Sequence, residues 1–203
     1  MEKIIYSNTN YCIYEADERC LMELSEFIVR ENHKHHSLNV QDTDIAIETN
    51  EVFNEEYRYV RNSKIFLARN AYGKLIGSIR VFKWNRKDIL PIQKIFNIDP
   101  LECIGTDYSY SYWHIGRFAI DSYTGLSTLM LFKQLMTLAI EPIVHDSNSF
   151  MIAEIDSKLL RVMNVLGIST ITLGKPIHYL ASETIPVYST KQGLSDFYNK
   201  YEW

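Results

Sequence analysis

Cysteine is scarce in this sequence, with Cys12, Cys20 and Cys103 the only three in 203 residues. An odd count without C-x-x-C spacing argues against a disulfide framework or a zinc knuckle and favours reduced thiols, hence a cytoplasmic setting. Long apolar runs are missing too. No window reaches the roughly 18 uninterrupted apolar residues of a membrane span, and M-E-K-I-I-Y-S-N lacks the basic start and apolar core of an export signal. Positive charge is in deficit: 21 Lys and Arg stand against 25 Asp and Glu, a net charge of −4. The chain therefore has no general field for nucleic acid or an anionic membrane, and any anion site must be local. With no internal repeat and no low-complexity linker, no domain boundary is justified, and residues 1–203 are expected to form a single domain. A hydrophobic share of 46% and a charged share of 23% are those of an ordinary globule.

The coarse order of elements follows from periodicity. Y-C-I-Y-E reads as a short strand, and Asp17 opens a helix with Leu21, Leu24 and Ile28 at helical spacing, ending near Asn32. His33 to Arg61 is polar and acidic with little clean periodicity, and reads as loops and a short helix. K-I-F-L-A-R and L-I-G-S-I-R-V-F-K-W, joined by N-A-Y-G-K, form a hairpin in which Gly73 supplies a permissive turn. Asp88 to Asn97 reads as a short helix stopped by Asp99-Pro100. Tyr112 to Ile120 reads as a strand and Leu126 to Ile140 as a largely buried helix, which Thr124 or Ser127 could cap. Phe150 to Ile155 is a buried strand, and Ser157 to Leu166 a helix ended by Gly167. I-S-T-I-T-L, P-I-H-Y-L and I-P-V-Y are short strands, and a polar helix around Leu194 to Tyr201 closes the chain. This order gives an α/β or α+β fold built on one sheet.

The strand within S-Y-S-Y-W-H-I-G-R-F-A-I-D, Ser109 to Asp121, places a histidine and an arginine among core residues. Strand alternation sends Trp113, Ile115, Arg117 and Ala119 to one face and His114, Gly116, Phe118 and Ile120 to the other. Two readings are open: His114 and Arg117 are satisfied core polar groups, or they carry chemistry. Gly116 fits a place where the strand bulges or another chain comes close.

I-F-L-A-R-N-A-Y-G-K-L-I-G-S-I-R-V, then L-P-I-Q-K-I-F, then Y-W-H-I-G-R-F-A-I-D resemble the core of the acyl-homoserine-lactone (autoinducer) synthases and the long-chain N-acyl amino acid synthases. A-E-I-D-S-K-L-L-R-V-M-N-V-L-G-I and L-G-K-P-I-H-Y-L-A-S-E-T-I-P-V resemble later parts of that family. The most telling element is the tryptophan, acid, two residues and R-F pair on its fourth strand. The resemblance implies a GNAT-like N-acyltransferase fold, a mixed sheet splayed at strand 4 with helices on both faces. It also implies an acyl thioester on coenzyme A or acyl carrier protein as cosubstrate, an amine or amino acid acceptor, and no metal. Amide formation from a thioester needs a neutral amine, a proton acceptor and donors facing the carbonyl oxygen. Here His114 stands where the family carries its acid, and it is the candidate proton acceptor. Trp113 and Phe118 line the expected substrate path. Arg80, which matches the family's arginine after G-x-x, and Arg117 are either structural ion pairs or readers of an acceptor carboxylate. Lys83, Arg86 and Lys87 join Arg80 as four cations in eight residues. They form a solvated loop, or a docking patch for an acidic carrier protein.

Most GNAT enzymes hold pyrophosphate on a glycine-rich loop, whereas D-S-Y-T-G-L-S-T offers only Gly125. Ile120, Ser127, Thr128 and the N–H groups at the start of the following helix are the candidate cofactor contacts, and the missing glycines favour a carrier protein as donor bearer. The amino-terminal third has Asp42 and Asp44 but no tryptophan for an S-adenosylmethionine pocket, so homoserine lactone is not the expected product. His33, His35 and His36 invite a metal reading, but an exposed polar loop is the preferred one. Three functions stay open: an N-acyltransferase for medium or long acyl chains, a small-amine acetyltransferase using acetyl-CoA, and a catalytically silent binding module of the same fold.

Overall fold

The computed structural model describes residues 3–36, 42–121, 128–179 and 182–203. The chain packs into two compact units, residues 1–80 with 117–136, and residues 81–116 with 137–203.

In the first unit, β1 (Lys3–Ser7) and β2 (Tyr11–Ala16) pair antiparallel, with an irregularity between Ile4 and Tyr6. Asp17 then accepts a hydrogen bond from the Arg19 N–H, capping a single 3₁₀ turn (Glu18–Cys20) that leads into α1 (Leu21–His36). α2 (Asp42–Tyr59) and a short 3₁₀ turn follow, and then β3 (Ser63–Asn70), antiparallel to β2 from Tyr11↔Asn70 to Ala16↔Ile65. β4 (Leu75–Lys83) begins in this unit. The hairpin turn is closed by Asn70, whose side-chain oxygen accepts from the Tyr72 and Lys74 N–H groups, while Gly73 takes φ +78°. A left-handed residue at this point is the reason for glycine there. Leu21, Leu24, Phe27, Ile28, Ile65, Leu67, Leu75 and Ala119 form one buried cluster, so the α1 stripe read from the sequence is the face that meets the sheet.

The second unit takes the chain from the end of β4 through α3 (Pro91–Phe96), α4 (Pro100–Cys103) and the start of β5 (Ser111–Ile120). The second half of β5 returns to the first unit. α5 (Thr128–Val144) begins there and ends in the second. The rest is β6 (Ser149–Asp156), α6 (Ser157–Val165), β7 (Ile171–Thr172), β8 (Ile177–Tyr179), β9 (Ser182–Thr190) and α7 (Lys191–Tyr201). β5 is parallel to β6, β6 is antiparallel to β9, and β7 and β8 are both antiparallel to β9. The sheet is therefore mixed, with helices between its strands, as the sequence predicts. Gly167 at φ +92° ends α6, and the Ile168 N–H reaches back to the Met163 carbonyl.

Several elements differ from expectation, among them α5, which runs to Val144 rather than Ile140. α1 runs to His36 rather than Asn32. The stretch read as loops and a short helix contains an 18-residue helix, α2. Its buried stripe is Thr49, Val52, Glu56 and Tyr59, and two polar members of four hide its helical period. β1 was not anticipated, so the strand carrying His114 is the fifth. Asp99 does not simply stop a helix: its side chain accepts from the Leu101 N–H and caps α4.

Candidate active site

Two buried groups of ionisable side chains stand out, one in each unit. In the second unit, β5 and β6 are registered from Ser111↔Ser149 to His114↔Ile152. Among the described residues of this unit the parallel register stops there. Glu154 lies two residues beyond Ile152, on the same face of β6, and so beside His114. His114 Nε2 and Glu154 Oε2 are 2.9 Å apart. The imidazole side chain is 2% exposed and the carboxylate side chain 9%. Phe82 stacks on the imidazole with ring centroids 5.2 Å apart. The second carboxylate oxygen, Glu154 Oε1, is buried and has no hydrogen-bond partner among the described residues.

Trp113 is half-buried, and its indole N–H donates to Asp146 Oδ2 at 3.0 Å. Lys83 Nζ meets the same oxygen at 2.8 Å and sits 5.7 Å from the Trp113 ring centre. Partial burial pushes the Asp146 carboxyl up, but the Lys83 ammonium and the Trp113 N–H hold it below the ordinary range. Arg86 donates to the carbonyls of Thr106, Asp107 and Tyr110 and stacks over Tyr108 and Tyr112. Its guanidinium ties the 106–110 loop down, which is a structural task. Lys87 is exposed. The basic patch of the sequence is thus one lysine engaged with an acid, one arginine spent on carbonyls, and one lysine in solvent.

In the first unit, Arg80 and Arg117 converge on Glu56. Arg80 Nη1 lies 2.5 Å and Arg117 Nε 2.7 Å from Glu56 Oε1, and Arg117 Nη2 reaches Glu55 Oε2 at 2.7 Å. Arg80 is 1% exposed and Glu56 0%, and the Tyr59 ring lies 5.2 Å from the Arg80 guanidinium carbon. Burial alone would raise the Glu56 carboxyl, but the two guanidiniums outweigh it and hold it below the ordinary carboxylate range. Burial likewise works against the Arg117 charge, and Glu56 and Glu55 more than offset it, raising its pKa further. Two cations meet two acids, so this cluster offers an acceptor carboxylate no surplus positive charge. Of the two readings of Arg80 and Arg117, the geometry is that of ion pairing.

The backbone departure in this strand is at Arg117, not at Gly116, where the sequence suggests a bulge or a close approach. Arg117 adopts φ +55°, a conformation that costs a non-glycine residue about 1–3 kcal/mol. Ser78 Oγ donating to the Arg117 carbonyl at 2.8 Å, together with the two glutamates, holds it there. A left-handed residue interrupts the strand's alternation, so the face assignment from Trp113 to Ala119 does not carry through Arg117. Phe118 is half-buried and meets Phe132 edge-on at 5.2 Å.

Of the expected cofactor contacts, Ile120 ends β5 half-buried, Thr128 opens α5 and is exposed, and Ser127 and the Thr124 cap lie outside the described residues. His33 Nε2 meets Glu48 Oε2 at 2.8 Å, tying α1 to α2; the side chains of His35 and His36 are outside the described ones. Among the described residues no group of three His, Cys, Asp or Glu side chains could hold a metal ion, and no helix is long and apolar enough to cross a membrane. Glu56, Glu55, Glu154 and Asp146 are the partners that sequence reasoning missed. An acid within an otherwise buried strand, M-I-A-E-I, was the available sign for Glu154.

No family profile matches the sequence, and no curated protein does. Solved structures do match. The N-acyl amino acid synthase FeeM, from uncultured soil microbes, superposes with a TM-score of 0.63 at 13% identity, covering 97% of this chain and 96% of its own. The AHL synthase LasI gives 0.63 at 12% identity, covering 95% and 96%. A spermidine N-acetyltransferase from Vibrio cholerae, solved with CoA and spermine, gives 0.51 at 10% identity, covering 92% and 98%. The chain therefore has the mixed α/β fold of the GNAT acyltransferases, and the resemblance read from its motifs holds at the level of that fold.

Proposed function

We propose that residues 1–203 act as one N-acyltransferase domain, moving an acyl group from a phosphopantetheine thioester to an amino acid or similar amine. The observation that carries this reading is the buried His114–Glu154 pair at the point where the registered ladder between β5 and β6 ends. Strands that stop pairing leave backbone N–H groups available to a carbonyl oxygen, and such preorganised donors are the usual means of stabilising a tetrahedral intermediate. The fold shared with FeeM and LasI supports the same reaction class.

The amine nitrogen attacks the thioester carbonyl carbon, the C–N bond forms, the C–S bond breaks, and the sulfur leaves as a thiol. A proton must leave the amine, and the His114–Glu154 pair is the acid–base group proposed to take it. Trp113 and Phe118 are proposed to flank the substrate path. Ile120, Ser127 and Thr128 are proposed to meet the donor's phosphates, and the donor bearer is coenzyme A or acyl carrier protein. Direct attack, with no covalent enzyme intermediate, is the proposed route.

The test is transfer by the purified protein from acyl-CoA and acyl-carrier thioesters of graded length to a panel of amino acids and amines, read by mass spectrometry. An N-acyl product from medium or long donors is expected. Use of the acetyl donor alone would move the assignment to an acetyltransferase, and absence of transfer from every donor would reject the enzyme reading.

A further inference from the structure

We infer that the atom receiving the amine proton is Glu154 Oε1, and that His114 is a positioning residue acting through the carboxylate. This rests on the acyltransferase reading and assigns its proton acceptor. The imidazole stacks against Phe82 and commits Nε2 to Glu154 Oε2 at 2.9 Å. The carboxylate is oriented by that contact, while Oε1 has no donor among the described residues. A buried acceptor left unsatisfied is costly, and such a group is retained where a ligand supplies the missing donor. Its place fits that use, because Glu154 lies two residues past the last registered pair, His114↔Ile152.

Glu31 and Glu56 each also have one buried oxygen without a partner, yet neither is comparable. Glu56 is held by two arginines, and Glu31 Oε1 lies 2.6 Å from Lys34 Nζ. Those partners stay cationic at neutral pH. Glu154 alone of the three is partnered by an imidazole, the one side chain that exchanges a proton near neutrality without special tuning. An imidazole N–H orients the carboxylate without the permanent charge that arginine and lysine set against theirs.

The acceptor implied is a primary amine arriving as its ammonium form. One N–H⁺ proton passes to Glu154 Oε1. The freed lone pair forms the C–N bond with the thioester carbon, the C–S bond breaks, and the departing sulfur takes a second nitrogen proton to leave as thiol. The proton on Glu154 Oε1 passes to solvent as product leaves, so that amide, thiol and one proton balance ammonium and thioester.

The experiment compares Glu154→Gln, Glu154→Asp and His114→Asn with wild type, using an alkylammonium acceptor and hydroxylamine, which is largely free base at neutral pH. Glu154→Gln is expected to lower kcat for the alkylammonium by about 10²–10⁴-fold, with the donor KM unchanged. The loss should be much smaller with hydroxylamine, which has no such proton to give up. His114→Asn, which keeps a donor for the carboxylate, should lose less than Glu154→Gln, chiefly in kcat, and with a displaced pH profile. Glu154→Asp covers the case in which the glutamine variant misfolds: it keeps the charge, withdraws the oxygen by one methylene, and should melt like wild type with reduced turnover. A folded Glu154→Asp with full turnover overturns the inference, as does His114→Asn losing more than Glu154→Gln. Wild-type protein that transfers nothing rejects the acyltransferase reading itself, an outcome distinct from an active wild type insensitive to position 154.

Discussion

Glu56 in the first unit and Glu154 in the second are both carboxylates with one oxygen engaged and one buried without a partner among the described residues. They differ in what engages them. Two guanidiniums hold Glu56, and arginine does not deprotonate in a protein. An imidazole holds Glu154, and imidazole can give up or take a proton. The first arrangement sets permanent charges around a carboxylate, and the second sets an imidazole against one. The same residue type thus serves as an anchor in one unit and is the proposed proton acceptor in the other.

The largest expected effect breaks the anchor. Arg80→Ala leaves the Glu56 charge with Arg117 alone inside the core, and removing one partner of a buried pair destabilises by about 3–5 kcal/mol. Denaturant unfolding should show it as a fall in midpoint with little change in slope. Replacing both members, Arg80→Met with Glu56→Leu, should restore much of the loss, because the cost lies in the orphaned charge. If the double variant is no more stable than Arg80→Ala, the cluster has a further role that charge balance does not describe.

A second, smaller effect sharpens the contrast through pH. The Glu56 carboxyl is held below its ordinary range, so its folded-state pKa is depressed relative to the unfolded chain. Its contribution is therefore complete above the unfolded value of about 4.3 and is lost as pH falls through the lower folded value. Stability of wild type and Glu56→Gln measured from pH 7 downward should differ by a constant amount near neutrality and converge in acid. A gap that persists unchanged to the lowest pH at which the protein folds would mean that packing, not ionisation, sets the cost.

The same contrast marks how far the sequence could be read. The β3–β4 hairpin is legible because its turn depends on local chemistry, Asn70 and Gly73 within five residues. α5 and β6 are legible because their apolar runs are longer than chance allows. α2 is not, because the face it buries includes Glu56, and Glu56 is explained only by Arg80 and Arg117, 24 and 61 residues away in sequence. Glu154 is hidden for the same reason, its partner His114 lying 40 residues earlier. His114 itself could be picked out, since its neighbours Trp113, Arg117 and Phe118 carry a recognisable spacing. The left-handed residue could not: sequence logic looks to Gly116 for a bulge or close approach, and tertiary contacts hold the left-handed conformation at Arg117. Local rules located elements and one member of each ion pair. The second member is a property of the fold.

The smallest expected effect concerns a third acid, Asp146, whose partner Lys83 is half-exposed. An ion pair open to solvent on its cationic side contributes about 0.2–1 kcal/mol, so Lys83→Ala should barely change stability. Its value lies in separating donors. With Arg86 spent on backbone carbonyls, Lys83 and Lys87 are what remains of the basic stretch to meet an acidic carrier protein. Lys83→Ala with Lys87→Ala should raise KM for an acyl-carrier thioester several-fold and weaken its dependence on salt, since rim charges act mainly on association. KM for the matching acyl-CoA should stay where it was. An equal rise for both donors would place these lysines against the shared phosphopantetheine or its phosphates. No change for either would return them to the solvated surface that their position in the loop by itself suggests.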